Sequence, residues 1–202
     1  MIEPAEPNDG RSRADPAIHG IVLAAGTSDR FGDRNKLLAT VGGEPIIRRA
    51  VRTLAEASLE GVTVVLGHEA DRVRAVLADL DVTFVTATGE GQGGSVAAGV
   101  ETVREAGADA ALIALGDMPA VSTATVERLV DTYRAGGGSA LAAGYDGQRG
   151  NPVLFDGSHF GSLALLDGDC GGRNVLLSAT DAALVETGDP GVLQDIDRPT
   201  DV

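Results

Sequence analysis

Apolar residues follow two alternating spacings along the chain. Short unbroken apolar runs are typical of strands covered on both faces, and apolar residues three and four positions apart are typical of helices. The predicted strands cover residues 20–24, 62–66, 82–85, 110–115, 139–143, 152–155, 183–186 and 194–196. The first predicted helix begins at Pro45, since proline is favoured at a first helical position. The other predicted helices cover residues 70–77, 95–106, 123–133, 160–166 and 172–178.

Strands and helices alternate with short connections through the first two thirds of the chain. This order predicts a Rossmann-like α/β/α sandwich with a mostly parallel sheet, because parallel neighbours need helical crossovers. Residues 1–17 carry three prolines and mixed charge without apolar periodicity, so we expect a disordered tail and one domain over residues 18–202. The loops after residues 24, 85 and 115 are expected to converge on one crevice beyond the carboxyl ends of the strands.

The charge balance limits the classes of partner. The chain has 30 acidic and 16 basic residues and a formal net charge of -14. Nucleic acids and anionic membranes need a basic face, so we expect neither as a partner and expect a small ligand instead. No leader peptide and no membrane-spanning apolar run is visible, so a cytoplasmic protein is expected. Cys170 is the only cysteine, which excludes an intrachain disulfide and a multi-cysteine zinc site.

The first candidate site follows the first predicted strand. Residues 23–32 read LAAGTSDRFG, and residues 35–38 read NKLL. A loop of small residues lets backbone N–H groups approach a base and a phosphate, while Arg30 and Lys36 can offset the charge of triphosphate oxygens. Lys36 is the only lysine in the chain, and its compact ammonium suits a phosphate contact. We therefore predict catalytic roles for Arg30 and Lys36.

Asp117 follows the fourth predicted strand in the motif Gly-Asp-Met-Pro. A carboxylate at this end of the sheet can bind Mg²⁺ while the metal also holds phosphates, so Asp117 is predicted to be a metal ligand and a catalytic residue. The glycines at residues 89–94 also fit the spacing of a dinucleotide fingerprint. That loop follows the third strand rather than the first, and a dinucleotide site leaves Lys36 without a role. An NAD-dependent oxidoreductase is therefore the alternative.

The motif L-A-A-G-x-S-x-R-x-G with N-K-L-L resembles the nucleotide-binding signature of the molybdenum cofactor nucleotidyltransferases, in the MobA-like NTP transferase family. The LAAG form is similar to that of the cytidylyltransferases, whereas the guanylyltransferases have LAGG. The resemblance covers residues 18–202 and implies a fold of the nucleotide-diphospho-sugar transferase type. It implies nucleotide binding by Leu23, Ala24, Ala25, Gly26, Arg30, Lys36, Gly94, Ser95 and Asp117.

The same resemblance implies a reaction. CMP would pass from CTP to molybdopterin or its molybdenum form, with Mg²⁺ as cofactor, pyrophosphate as product and a molybdoenzyme or cofactor-insertion protein as a partner. Three later motifs, RGNPV, GDCGGR and DIDRP, are similar to motifs of the cytidylyltransferase branch. They imply acceptor binding by Asn151, Asp169 and Arg173 and a second metal ligand at Asp197, with Asp169 as the rival for that position.

Other functions are compatible with the same fold, since function does not follow from fold. The alternatives are a guanylyltransferase, a sugar-phosphate or polyol-phosphate nucleotidyltransferase, and a nucleotide-binding regulator without turnover. The three histidines are scattered and lack metal-ligand spacing, so they receive no role.

Overall fold

The structure is a computed structural model that describes residues 2–4, 15–27, 31, 35–89 and 91–201. Its strands are β1 (Glu3–Pro4), β2 (Ile18–Ala24), β3 (Thr40–Val41), β4 (Glu44–Pro45), β5 (Gly61–Leu66), β6 (Thr83–Thr86), β7 (Ala110–Leu115), β8 (Ala140–Tyr145), β9 (Gln148–Asp156) and β10 (Ala182–Glu186). Its helices are α1 (Ile46–Ala55), α2 (Ala70–Val76), α3 (Gly91–Glu105), α4 (Thr123–Arg134), α5 (Phe160–Leu163) and α6 (Arg173–Ser178). Within the described residues, no helix has the length and apolar character needed to cross a membrane.

Eight strands form one sheet in the order β1-β10-β8-β9-β7-β2-β5-β6. Neighbouring strands are parallel except at β9, which runs antiparallel to both β7 and β8. Strands β3 and β4 pair separately as a small antiparallel ribbon. The predicted α/β fold with a mostly parallel sheet is thus confirmed.

Two apolar layers cover the sheet. Helices α1, α2 and α4 bury one face with side chains such as Val51 and Leu129, which are fully inaccessible to solvent. Helices α3, α5 and α6 bury the other face with side chains such as Val100 and Leu176. Both faces of the strands are therefore in the core, which explains why their sequences read as unbroken apolar runs rather than alternating ones.

The chain changes direction across the sheet beside β2. From β2 it proceeds outward to β5 and β6, and then returns through α3 to β7 on the other side of β2. Leu23 at the end of β2 lies opposite Leu115 at the end of β7, and Gly116 N donates a 2.9 Å hydrogen bond to Leu23 O. Such a switch point opens a crevice at the carboxyl ends of the strands, and it places the loop after Ala24 beside Asp117.

Several predicted boundaries are wrong, and the differences at α3 and β9 have tertiary causes. Helix α3 begins at Gly91 rather than at residue 95, because its glycines pack on a neighbouring loop and this packing outweighs their low helix propensity. Strand β9 begins at Gln148 rather than at Pro152, because a register shift opposite β8 accommodates the proline. Arg149 and Asn151 therefore lie in a strand.

Differences also occur near both chain ends. Residues 194–196 do not form the predicted strand, since Ile196 N donates to Asp117 O and no sheet partner is present among the described residues. Helix α5 ends at Leu163 rather than at residue 166. Glu3 and Pro4, within the segment expected to be a disordered tail, pair in parallel with β10 at the edge of the sheet.

Candidate active site

Lys36 lies between two carboxylates from distant parts of the chain. Its Nζ is 2.6 Å from Asp117 Oδ2 and 3.0 Å from Asp197 Oδ1. Burial lowers the pKa of Lys36, but hydrogen bonds and charge attraction from Asp117 and Asp197 outweigh burial and raise that pKa above its ordinary value. Lys36 is therefore a cation at neutral pH, and the structure brings together three residues that the sequence predicted as site residues.

A buried asparagine fixes the backbone that carries Lys36. Asn35 is 3% exposed, and its Oδ1 accepts a hydrogen bond from Leu37 N at 3.0 Å. Its side-chain amide donates to His68 O at 3.3 Å, which ties the turn to the loop after β5. Leu37 is buried in the core beneath α1. The hydrogen bonds of Asn35 and the burial of Leu37 therefore fix the backbone on either side of Lys36, and this fixed backbone positions the Lys36 ammonium.

Asp197 is positioned by the turn that follows it. The Oδ2 atom of Asp201 accepts hydrogen bonds from Asp197 N at 3.1 Å and Arg198 N at 2.8 Å. These backbone hydrogen bonds lower the pKa of Asp201 below its ordinary value, so the carboxylate is charged at neutral pH. On the preceding side, buried Ile196 donates its N–H to Asp117 O at 3.0 Å. The segment that carries Asp197 is thus tied directly to the loop that carries Asp117.

A third carboxylate, Asp195, completes a cluster. One oxygen each from Asp117, Asp195 and Asp197 lies within 4.8 Å of the other two. The Oδ1 atom of Asp117 is buried and has no hydrogen-bond partner among the residues the structure describes. A buried carboxylate oxygen normally has a partner, and oxygen clusters are the ligands that Mg²⁺ and similar cations prefer, so these residues fit a divalent cation. Asp169, the rival of Asp197, is not a member of this cluster.

Asp117 and Asp197 of this cluster border a cavity of about 580 Å³, which we call the Lys36 cavity. Of the predicted nucleotide-binding residues, those that line it are Leu23, Ala24, Ala25, Gly26, Lys36, Ser95 and Asp117. Gly94 does not line it but packs against Gly89, where a Cβ on Gly94 would lie 2.4 Å from the Gly89 carbonyl carbon. Arg30 lies outside the described residues.

The glycine-rich segment at residues 89–94 has a packing role. Gly93 N donates a 2.8 Å hydrogen bond to Gly168 O, and a Cβ on Gly93 would lie 2.7 Å from three backbone atoms of Asp167. Gly91 has a φ of +60°, and a Cβ there would lie 2.4 Å from Gly168 O. Close contact with residues 167–169 therefore accounts for these glycines without a dinucleotide.

A second cavity of about 430 Å³, which we call the Arg149 cavity, adjoins the first. The two cavities share Leu23, Gln92, Leu115 and Asp169 as lining residues. The predicted acceptor residues Asn151, Asp169 and Arg173 all line it. The structure thus gathers the residues from both halves of the chain into two adjoining cavities at one edge of the sheet.

Sequence reasoning gave no role to four residues that form part of these sites: Asn35, Gln92, Arg149 and Asp195. Asp195 and Arg149 stand within motifs that were noted, two residues before Asp197 and Asn151. Each of them lies two residues before a predicted site residue, and this spacing is the signal from which their roles could have been predicted. Asn35 and Gln92 also lie within noted segments, NKLL and residues 89–94, but their roles depend on burial and on neighbours distant in the sequence.

Comparison with known proteins gives the family context. Residues 20–183 match the family model of the MobA-like NTP transferase domain. The purine catabolism protein PucB of Bacillus subtilis is 31% identical over 195 residues, covering 91% of this chain and 93% of PucB. Nicotine blue oxidoreductase of Paenarthrobacter nicotinovorans is 31% identical over 166 residues, covering 78% and 80%. The bifunctional protein GlmU of Kineococcus radiotolerans is 36% identical over 121 residues, and the chain spans only 25% of its length.

A solved structure agrees over nearly the whole chain. Rv0371c of Mycobacterium tuberculosis superposes with a TM-score of 0.80 at 27% identity, covering 94% of this chain and 96% of that one. Its complex with manganese superposes with a TM-score of 0.70. The likeness confirms the fold class predicted from the sequence.

Proposed function

Because the chain belongs to the MobA-like NTP transferase domain family, we propose that it transfers a nucleoside monophosphate from a nucleoside triphosphate to a phosphorylated small molecule. The observation that carries this proposal is the position of Lys36 between Asp117 and Asp197, at the border of a cavity formed by the LAAG loop. A cation and a carboxylate cluster beside a loop of small residues suit a triphosphate and its metal.

Asp117 and Asp197, with Asp195 beside them, would hold Mg²⁺. The metal would supply positive charge against the phosphate oxygens. The buried, unpartnered Oδ1 of Asp117 supports this role, and so does the manganese named in the complex of Rv0371c. Lys36 would contribute a second fixed cation, and Arg30 is proposed to add a third.

In the transfer, an oxygen of the acceptor phosphate forms a bond to the α-phosphorus of the donor. The bond from that phosphorus to the bridging oxygen of the β-phosphate breaks, and pyrophosphate leaves with the electron pair. A phosphate monoester is already ionised near neutral pH, so the attack needs no general base. The described residues that line the two cavities include no histidine, which agrees with catalysis by positioning and electrostatics.

We propose CTP as the donor and molybdopterin or its molybdenum form as the acceptor, in the cytoplasm, with delivery to a molybdoenzyme or a cofactor-insertion protein. The donor proposal depends on the likeness of the LAAG loop to the cytidylyltransferases and on the methyl group of Ala25, which lines the Lys36 cavity. One methyl group discriminates by only about 1–3 kcal/mol. A guanylyltransferase or a sugar-phosphate or polyol-phosphate nucleotidyltransferase is therefore the nearest alternative.

The direct test is release of pyrophosphate from CTP, GTP and ATP with Mg²⁺ and an acceptor. We expect turnover with the highest kcat/KM for CTP. Asp117→Asn should reduce the rate by about a hundredfold or more while the melting temperature changes little, because it removes a metal-ligand charge at a loop rather than a core group. Asp146→Asn, the same change in an exposed turn, is the control. Wild-type turnover by Asp117→Asn at limiting Mg²⁺ would disprove the role of Asp117.

An oxidoreductase is the second candidate, since the relative from Paenarthrobacter carries that name. The glycine spacing at residues 89–94 fits a dinucleotide loop, but those glycines pack on residues 167–169 and the loop follows β6. Thermal shifts separate the candidates. CTP with Mg²⁺ is expected to raise the melting temperature and NAD is not, whereas a regulator without turnover would bind CTP and release no pyrophosphate.

A further inference from the structure

Gly67 follows the end of β5 and packs directly against the LAAG loop. A Cβ on Gly67 would lie 2.5 Å from Ala25 O and 2.7 Å from both Ala25 Cα and Ala25 Cβ. Non-bonded heavy atoms need a separation of roughly 3.5 Å or more, so no side chain fits between the two residues. Both residues also line the Lys36 cavity. The absence of a side chain at residue 67 therefore lets the LAAG loop lie against β5.

The backbone that carries Gly67 is fixed on both sides. Leu66 is fully buried at the end of β5 and pairs with both neighbouring strands, β2 and β6. Its carbonyl oxygen also accepts a 2.9 Å hydrogen bond from Ala87 N. After Gly67, the carbonyl oxygen of His68 accepts the 3.3 Å hydrogen bond from the side-chain amide of buried Asn35. The residues before and after Gly67 are therefore held in place by the core and by hydrogen bonds.

The LAAG loop is the partner that would move. Its first residue, Leu23, is held where its carbonyl oxygen accepts the hydrogen bond from Gly116 N. Ala25 lies two residues beyond this point and is followed by two residues that are exposed to solvent. A side chain at residue 67 would therefore displace Ala25 by roughly 1 Å rather than displace β5. Such a displacement changes the shape of the Lys36 cavity at the loop that is proposed to bind the nucleotide.

We propose that Gly67 is a positioning residue for the nucleotide, because its lack of a side chain sets the distance of the LAAG loop from β5 and so the shape of the Lys36 cavity. This role rests on the proposed function, which makes a nucleoside triphosphate the ligand of that loop. Gly67 has no side chain that could contact the nucleotide, so it acts through Ala25. A displacement of about 1 Å in a reacting complex can lower the rate by about a hundredfold.

Calorimetric titration of the full-length protein with the non-reacting analogue α,β-methylene CTP and Mg²⁺ tests this role. Gly67→Ala should weaken binding of the analogue about tenfold or more and lower kcat/KM for CTP about a hundredfold, because the LAAG loop is displaced. Gly61→Ala is the matched control. It makes the same change at the other end of β5, where the nearest atom to its Cβ would be His19 Nδ1 at 3.6 Å. This control should bind the analogue as wild type does.

Two further measurements separate positioning from damage to the fold. Mn²⁺ binding without nucleotide, measured by electron paramagnetic resonance, should be equal in Gly67→Ala and wild type, because the three clustered carboxylates lie on other loops. The double variant Gly67→Ala/Ala25→Gly should bind the analogue more tightly than the product of the two single effects predicts. Glycine at residue 25 removes one of the colliding atoms and gives its backbone more freedom, so the two changes are coupled.

Each outcome bears on one of the two proposals. The role of Gly67 is overturned, and the proposed function stands, if wild type and Gly67→Ala bind the CTP analogue equally. Independent effects in the double variant, or loss of Mn²⁺ binding by Gly67→Ala, would also overturn that role, since Gly67 would then not act through Ala25 or would serve only the fold. If wild type binds neither the CTP analogue nor the matching GTP and ATP analogues, the proposed function fails, and the role of Gly67 fails with it.

Discussion

At the scale of single residues, Lys36 contacts two of the carboxylates that a metal would need. Its ammonium lies within 3.0 Å of both Asp117 and Asp197, the carboxylates expected to bind the cation. The ammonium and a divalent cation therefore compete for the same negative charge. Where the metal draws a carboxylate away from Lys36, the ammonium becomes available to a phosphate.

Lys36→Met should bind Mn²⁺ more tightly than wild type when no nucleotide is present. Removal of the ammonium takes one positive charge away from the carboxylates, and a cation then gains more of their attraction. We expect a gain of roughly tenfold in Mn²⁺ affinity, which corresponds to about 1.4 kcal/mol. Electron paramagnetic resonance of free Mn²⁺ measures it directly, and the same variant should lose pyrophosphate release.

Two further variants serve as controls for this competition. Asp117→Asn should bind Mn²⁺ more weakly than wild type, because a ligand charge is lost. Lys36→Arg keeps the positive charge but replaces a point charge by a planar fork, so it should not restore the rate. Equal Mn²⁺ affinity in wild type and Lys36→Met would refute the competition.

Charged residues that follow the ends of predicted strands made part of this site predictable from the sequence. Lys36 and Asp117 follow the first and fourth predicted strands, and a parallel sheet brings such loops together although the residues are 81 positions apart. Asn35 could not be identified in this way. Its function is to accept and donate hydrogen bonds while 3% exposed, and nothing in the local sequence predicts that burial.

At the scale of elements, the start of α3 is built on glycine. Gly93→Ala should destabilise the fold by about 1–3 kcal/mol, because its Cβ would collide with the backbone of Asp167 and separate α3 from residues 167–169. Urea denaturation measures the change. Gly161→Ala is the matched control, since no atom lies within 4 Å of its Cβ position in α5, and alanine favours a helix.

The Gly93 variant should also weaken ligand binding. Gln92 and Asp169 line both cavities, so a shift between their two segments alters both. Equal stability of Gly93→Ala and Gly161→Ala would contradict the contact between α3 and residues 167–169.

Asp189 joins the start of α4 to the turn at Pro190–Leu193. Its Oδ2 accepts hydrogen bonds from Thr125 Oγ1 at 2.7 Å and from both N and Oγ of Ser122, and its Oδ1 accepts one from Gly191 N at 2.8 Å. Burial raises the pKa of Asp189, but these hydrogen bonds outweigh burial and lower that pKa below 3.8. A lowered pKa means that the carboxylate stabilises the fold at neutral pH and loses this effect as the pH falls through the folded-state value.

Asp189→Asn should therefore lower the free energy of unfolding by about 1–3 kcal/mol at pH 7. The amide replaces one carboxylate oxygen by an NH₂ group, so the donors that bonded to that oxygen lose their acceptor. The difference from wild type should shrink as the pH falls below about 4. Urea titrations at several pH values measure it. Asp81→Asn, at an exposed carboxylate, serves as the control. A difference between wild type and Asp189→Asn that is constant with pH would show that the charge of Asp189 is not what stabilises the junction.

Elements inside the core were predicted better than elements at the site. The strands β2, β5 and β7 and the helix α4 have apolar patterns that result from burial on the sheet, and local sequence carries that pattern. The start of α3 and the start of β9 depend on close backbone contacts with residues 167–168 and Val192. Such contacts override the low propensity of glycine for helices and of proline for central strands, and a pattern along one segment cannot show them.

At the scale of the whole molecule, charge is distributed unevenly. The net charge is -14, yet the two cavities contain Lys36, Arg149 and Arg173 at the carboxyl edge of the sheet. Asp117, Asp169 and Asp197 line the same cavities and balance these three cations, so an anionic substrate meets less repulsion there than at the remaining, predominantly acidic surface. This arrangement favours binding of phosphates within the cavities and disfavours adhesion of nucleic acid elsewhere.

The excess of acidic groups should make stability depend on salt. Mutual repulsion among these charges opposes the compact state, and dissolved ions screen it, with a Debye length of about 10 Å at 0.1 M. We expect the melting temperature to rise with NaCl up to about 0.3 M and then to level off as screening saturates. KCl at equal ionic strength should give the same rise, because screening does not depend on ion identity, and sucrose should give a linear increase without a plateau. Scanning calorimetry at pH 7 measures all three series. A melting temperature that falls with NaCl would show that attractive ion pairs, such as the one between Lys36 and Asp117, outweigh the repulsion.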